Sequence, residues 1–296
     1  MVFWCAGRIV NNRQMPTIFW IVRWKMKSLL RQETYAQDWV KDFYTQTGIW
    51  WGRDPQAAGE HAARMQIIER LCKPAPRRIL DLGAGPGRTA AALADEGYDV
   101  VGVELNPTDA GYARELLKVP RKGRLEFLEA DFYTVSLQEQ FDLVTCWQVF
   151  GLGSDADQRR LLQRIAREWL APGGTVLLDV YHPAGPARDA GREWRLPPLA
   201  GVPGSVEMIE RCHYDPVQGR WIDEWQPVEN SENSLAQTLR CYTPADLLLL
   251  LEGTSLQLQY VEIAGQAVDV QANRITPSVQ WFNSDYNYLA QLCRAE

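Results

Sequence analysis

One short stretch carries residues whose types and spacing suit a ligand bearing both an amine and a sugar. Asp81-Leu82-Gly83-Ala84-Gly85-Pro86-Gly87 sets glycines at alternate positions directly after an apolar run. Glycine lets a backbone turn tightly and approach a ligand that a β-carbon would hold off. The spacing is G-x-G-x-G, not the G-x-G-x-x-G with which dinucleotide enzymes cradle a pyrophosphate. Asp81 argues the same way, since a carboxylate at the loop entry repels phosphate and suits a cationic amine. Glu104 ends the next apolar run, where a carboxylate can accept both hydroxyls of a ribose.

These groups need a frame to bring them together, and the surrounding pattern supplies one. Short apolar runs at 77–83, 98–105, 124–131, 141–147 and 175–181 read as strands. They alternate with helical stretches at 89–97, 107–118 and 155–170; Gly97 closes the first, and Asp155 and Asp157 favour the start of the third. Such alternation predicts an α/β fold with a doubly wound, mostly parallel sheet, its ligand edge at the strand C-termini. Downstream, 210–229 reads as a hairpin turning at Asp215-Pro-Val-Gln-Gly219, and 239–253 as a strand leading into a helix capped by Thr243 with Pro244 at its first position. Runs at 256–265 and 286–294 read as two further strands, while 263–285 shows no clear pattern.

The segment ILDLGAGPGRTAAALADEGYDVVGVELNP resembles the class I S-adenosylmethionine-dependent methyltransferases, and the likeness extends over roughly residues 35–295. It implies a seven-stranded Rossmann-like sheet with a small antiparallel insertion at about 183–240, and S-adenosyl-L-methionine as cofactor. On that resemblance the loop of Gly83, Ala84, Gly85 and Gly87 passes under the methionine part, Asp81 serves its amino group, and Glu104 beside Leu105 holds the ribose. Asp131 would read the adenine amine, with Phe132 against the ring. Cys146 belongs to the fourth-strand motif and counts with the cofactor set; lacking a Pro-Cys context, it reads as a buried strand thiol and not a nucleophile. The insertion and the Tyr-Thr-Pro helix start resemble the enzymes of this family that act on small molecules. The resemblance therefore implies methyl transfer to an oxygen or nitrogen of a small-molecule acceptor.

An oxygen or nitrogen acceptor gains from a general base. Of the three histidines, His182 follows the fifth strand at the cofactor edge and is the first candidate, His213 lies in the insertion, and His61 sits in an early helix. Tyr181 is a further candidate, ahead of Tyr214. Trp50 and Trp51 precede the first strand where the resembled family folds a lid, and Trp221 and Trp225 share a face of the insertion hairpin. All four are candidates for the acceptor pocket, through stacking or cation–π attraction to the sulfonium.

Composition narrows the rest. The chain has 296 residues, 46% hydrophobic and 23% charged, the balance of a globular protein. The net charge of −6 hides an asymmetry: residues 1–31 hold six basic side chains and no acid, leaving −12 on 32–296. We read 1–31 as a basic extension and 32–296 as the methyltransferase domain. Arg23 interrupts the apolar run of the extension, which is too short to span a membrane and allows at most a weak contact with an anionic membrane surface. Six scattered cysteines without metal-ligand spacing predict no metal site and reduced thiols in a cytoplasmic protein. No stable nucleic-acid partner is expected. Two rival functions remain: an RNA-modifying methyltransferase, supported only by the basic extension, and a catalytically silent cofactor-binding scaffold.

Overall fold

The glycine loop lies where a parallel sheet reverses its strand order. The computed structural model describes residues 38–51, 58–270, 272 and 286–295. Residues 1–31, and with them the basic extension, lie outside the described residues, as does the side chain of Trp51. In chain order the elements are α1 (Asp38–Trp51), α2 (Ala58–Leu71), β1 (Arg78–Leu82), α3 (Arg88–Asp95), β2 (Asp99–Glu104), α4 (Pro107–Leu116), β3 (Leu125–Glu129), β4 (Phe141–Phe150) and α5 (Asp155–Arg164). There follow β5 (Leu170–Tyr181), α6 (Ala184–Asp189), β6 (Glu193–Leu196), β7 (Met208–Asp215), β8 (Arg220–Pro227), β9 (Leu235–Arg240), α7 (Pro244–Leu251), β10 (Leu256–Ile263), β11 (Gln266–Val268) and β12 (Asn287–Arg294).

The main sheet runs β11-β10-β12-β5-β4-β1-β2-β3. Strands β1 to β5 are parallel to their neighbours among themselves, while β12, β10 and β11 pair antiparallel. The expected seven strands are joined by the short edge strand β11, drawn from the stretch without sequence pattern. Strand alternation buries both faces: Leu80, Leu82, Val101, Val103, Val144 and Cys146 point into one core, and Ile79, Val100, Leu143 and Trp147 into the other. This two-sided burial is why the strands read as nearly unbroken apolar runs. The helix expected over 155–170 begins with a capping box between Ser154 and Asp157 and widens into a π turn over Ile165–Trp169.

Strands β6-β7-β8-β9 form a separate antiparallel sheet from the expected insertion. Its register puts Glu210, Cys212 and Tyr214 on the same face as Trp221, Asp223 and Trp225, since these residues pair directly across β7 and β8. That face meets the rest of the protein. Trp221 and Cys212 join the main core, and Met208 and Trp225 pack with Phe43 and Trp50 of α1. Helix α1 is thereby held between the second sheet and the start of α4, where Thr45 donates to Asn106 Oδ1 at 3.2 Å. Among the described residues no helix is long and apolar enough to cross a membrane.

Candidate active site

A cleft of about 790 Å³, open solvent included, sits at the switch point between β1 and β4. Gly83, Gly85, Glu104, Leu105, Asp131 and Phe132 line it, together with Val40 and Tyr44 of α1. A second cleft shares Gly83, Gly85, Trp147 and Gln148 with the first and adds Asp81, Ala84, His61 and Arg64. The described structure thus brings the glycine loop, both strand-end carboxylates and the Asp131-Phe132 pair to one edge of the sheet.

Glu104 organises the loop. Its Oε2 accepts from the Gly85 N–H and its Oε1 from the Asn106 N–H, both at 2.7 Å. The three loop glycines are required for different reasons, although all have positive φ. A β-carbon at Gly83 would stand 2.7 Å from Val149, and one at Gly87 would stand 2.3 Å from Phe127, so packing excludes both. At Gly85 it would meet nothing within 4 Å, because that position faces the open cleft. Asp81 is buried, and Thr145 Oγ1 donates to its Oδ1 at 2.8 Å. Burial pushes the Asp81 carboxyl up to about 6, against the pull of Thr145 and Arg64. Asp131 Oδ1 accepts from the Tyr133 N–H at 2.8 Å, and the Phe132 ring packs on Tyr133 with centroids 4.7 Å apart.

Several sequence expectations are redirected. Cys146 is fully buried in the sheet core and does not line the cleft; burial holds its thiol well above the ordinary range. Strand alternation sends its neighbour Trp147 to the clefts instead. His182 is a turn residue: its Nδ1 accepts from the Ala184 N–H at 3.1 Å, and burial lowers its pKa. His213 pairs with Ile222 on the face of the second sheet opposite Trp221 and Trp225, with Nε2 3.6 Å from Glu224. Neither histidine lines the cleft. Trp50, Trp221 and Trp225 are buried in packing contacts and do not line it either, because α1 and the second sheet need them as glue. Tyr181 ends β5 beside the cleft and donates to the Gln148 carbonyl at 3.2 Å. Sequence reasoning passed over Arg64, Trp147, Gln148 and Tyr133. Only Gln148 and Trp147, directly after the fourth apolar run, carried any positional signal.

The model of a family described as "Methyltransferase domain" matches residues 56–252, about two thirds of the chain. The chain belongs to this methyltransferase family. Among curated relatives, a ubiquinone biosynthesis O-methyltransferase of Xanthomonas axonopodis pv. citri is 27% identical over 163 residues, covering 51% of this chain and 64% of the relative. A demethylmenaquinone methyltransferase of Thermus thermophilus is 34% identical over 124 residues, covering 40% and 54%. The chain thus matches a little over half the length of these relatives. Among solved structures, the CcbJ methyltransferase from Streptomyces caelestis superposes with a TM-score of 0.63 at 23% identity, covering 89% of this chain and 98% of that one, a likeness of fold. By family this chain is a methyltransferase, and its fold is that of solved methyltransferases.

The methyltransferase's clefts fit S-adenosylmethionine, the cofactor that the sequence resemblance implies. Gly85 leaves open space where a ligand must approach the backbone, and the buried Trp147 Nε1 has no hydrogen-bond partner among the described residues. A buried N–H without a partner is costly, and a polar ligand in the shared part of the clefts would relieve it.

Proposed function

We propose that this methyltransferase moves the methyl group of S-adenosylmethionine to an oxygen or nitrogen of a small-molecule acceptor. In this reading Asp81 takes the cofactor's ammonium, Arg64 its carboxylate, Glu104 the ribose hydroxyls, and Asp131 and Phe132 the adenine. The bound sulfonium supplies an already activated methyl group. The protein's share is alignment and exclusion of water, and positioning of that kind supplies up to about 7–11 kcal/mol. The observation that carries the reading is the pair Asp81 and Glu104 flanking an open glycine loop, one suited to an amine and the other to a diol. The relatives named as methylating ubiquinone and menaquinone precursors support a small acceptor. With His182 and His213 outside the cleft, the acceptor's proton is not taken by either.

Calorimetry with S-adenosylmethionine tests the cofactor half. Wild type should bind, and Glu104→Gln should weaken binding at least about tenfold, or about 1.4 kcal/mol. No binding to wild type sinks the proposal. Cofactor binding without transfer of labelled methyl to any member of a broad panel of phenols and amines would favour the silent scaffold instead.

A further inference from the structure

The inward face of the second sheet carries two carboxylates that the reading above does not use. Asp223 is only 2% exposed. Its Oδ2 accepts from Trp225 Nε1 at 2.6 Å and from Gln237 Nε2 at 2.7 Å. Its Oδ1 is buried with no donor among the described residues, while Glu210 stands on the same face, diagonally across β7 and β8 from Asp223. One proton shared between the two carboxyls would satisfy that oxygen. Burial and the charge of Asp223 push the Glu210 carboxyl above its ordinary range, in keeping with a shared proton.

The consequence is directional. An indole N–H can only donate, so Oδ2 is an acceptor, and Gln237 must turn its NH₂ toward it. The Gln237 carbonyl then faces the other way, where Tyr44 donates to Oε1 at 2.8 Å. A phenol has one hydrogen, and Tyr44 has given it to Gln237. Tyr44 also lines the cleft of Glu104 and Gly85. Burial, with the charges of Asp223 and Glu104, holds its hydroxyl well above the ordinary phenol range, so it stays protonated.

We propose that Asp223, paired with Glu210, locks the Gln237 amide so that Tyr44 turns only hydrogen-bond-accepting lone pairs toward the cleft, and that the methyl acceptor is a molecule presenting an N–H or O–H to Tyr44. Asp223, Glu210 and Gln237 are positioning residues, and Tyr44 is the group that meets the acceptor. Hydroxyls and amines bearing hydrogen are taken, whereas ethers and fully substituted nitrogens are refused. A site built to bond such a hydrogen discriminates strongly against the analogue that lacks it. The inference rests on the proposed methyl transfer to oxygen or nitrogen and adds the device that selects the acceptor.

The test uses the full chain loaded with S-adenosylhomocysteine and two matched probe pairs, titrated by calorimetry: catechol against 1,2-dimethoxybenzene, and benzylammonium against benzyltrimethylammonium. In at least one pair, wild type should bind the hydrogen-bearing member about tenfold tighter or more. Tyr44→Phe and Gln237→Leu should bring that preference below about threefold, the second because Tyr44 is then free to donate. Asp223→Asn should keep the preference, since its amide oxygen can replace Oδ2 while its NH₂ faces Glu210, whereas Asp223→Leu should lose it. The neutral Asn variant thereby separates orientation from charge and does not rely on a variant that fails to fold. Absence of preference in wild type, whether both members bind alike or neither binds, overturns the inference. So does a preference that survives Gln237→Leu or vanishes in Asp223→Asn with an unchanged circular dichroism spectrum. Failure to bind S-adenosylhomocysteine at all removes the methyltransfer reading as well, which distinguishes the two failures.

Discussion

Glu104 bonds the Gly85 and Asn106 amides in the first cleft, and Asp81 lies buried beside the glycine loop in the second. The two carboxylates differ in what they ask of pH. Asp81 is held up to about 6 chiefly by burial, so part of it is neutral in mildly acidic solution. On the proposed binding mode the cofactor's ammonium needs it ionised. Cofactor affinity should therefore fall as pH drops below about 6, approaching a tenfold loss per unit, and the trend should be absent in Asp81→Asn. Calorimetric titrations between pH 5 and pH 8 read this directly, and a flat profile in wild type removes Asp81 from the amine site. That both carboxylates stand beside the glycine loop was legible in the sequence, because they sit at fixed offsets from it. The histidines were not, because a type and a position do not say which way a side chain faces.

At the level of elements, the second sheet has an inner face that packs and an outer face that is charged. On the outer face Glu224 lies beside Arg211, His213 and Ser234. Burial tends to raise its carboxyl, but the neighbouring His213, the hydrogen bond from Ser234 and the charge of Arg211 outweigh it and bring it down to about 2. A depressed carboxylate stabilises the fold above its ordinary value of 4.5, and that contribution is lost as pH falls toward about 2. Glu224→Gln should flatten this part of the acid-unfolding profile, followed by tryptophan fluorescence. Helix α7 starts with a capping box in which Thr243 accepts from the Asp246 N–H and Asp246 accepts from the Thr243 N–H. Thr243→Ala should lower stability in urea by about 1 kcal/mol. That cap was readable from Thr243-Pro244 alone, since capping is a matter of neighbours in the chain. The hairpin was readable too, but its side-chain facing had a consequence drawn only in part: Trp221 and Trp225 do share a face, and that face is the one the core consumes.

For the whole molecule, the charge asymmetry between residues 1–31 and the rest leads to a separate expectation. A chain lacking residues 1–31 should keep its affinity for S-adenosylmethionine within about twofold, by calorimetry. A strongly salt-dependent RNA gel shift in the full chain, lost when residues 1–25 are removed, would instead favour the RNA-modifying rival. The alternation of strand and helix, the glycine loop and its acidic follower were determined by the sequence itself, because periodicity and short-range spacing act along the chain. The eighth strand, the burial of Cys146, Trp50, Trp221 and Trp225, the exclusion of His182 and His213 from the cleft, and the chain from Asp223 through Gln237 to Tyr44 were decided by tertiary structure. Tyr44 and Gln237 are 193 positions apart and meet only because α1 packs against the inner face of the second sheet. No local pattern records which residues two faces bring together when they close.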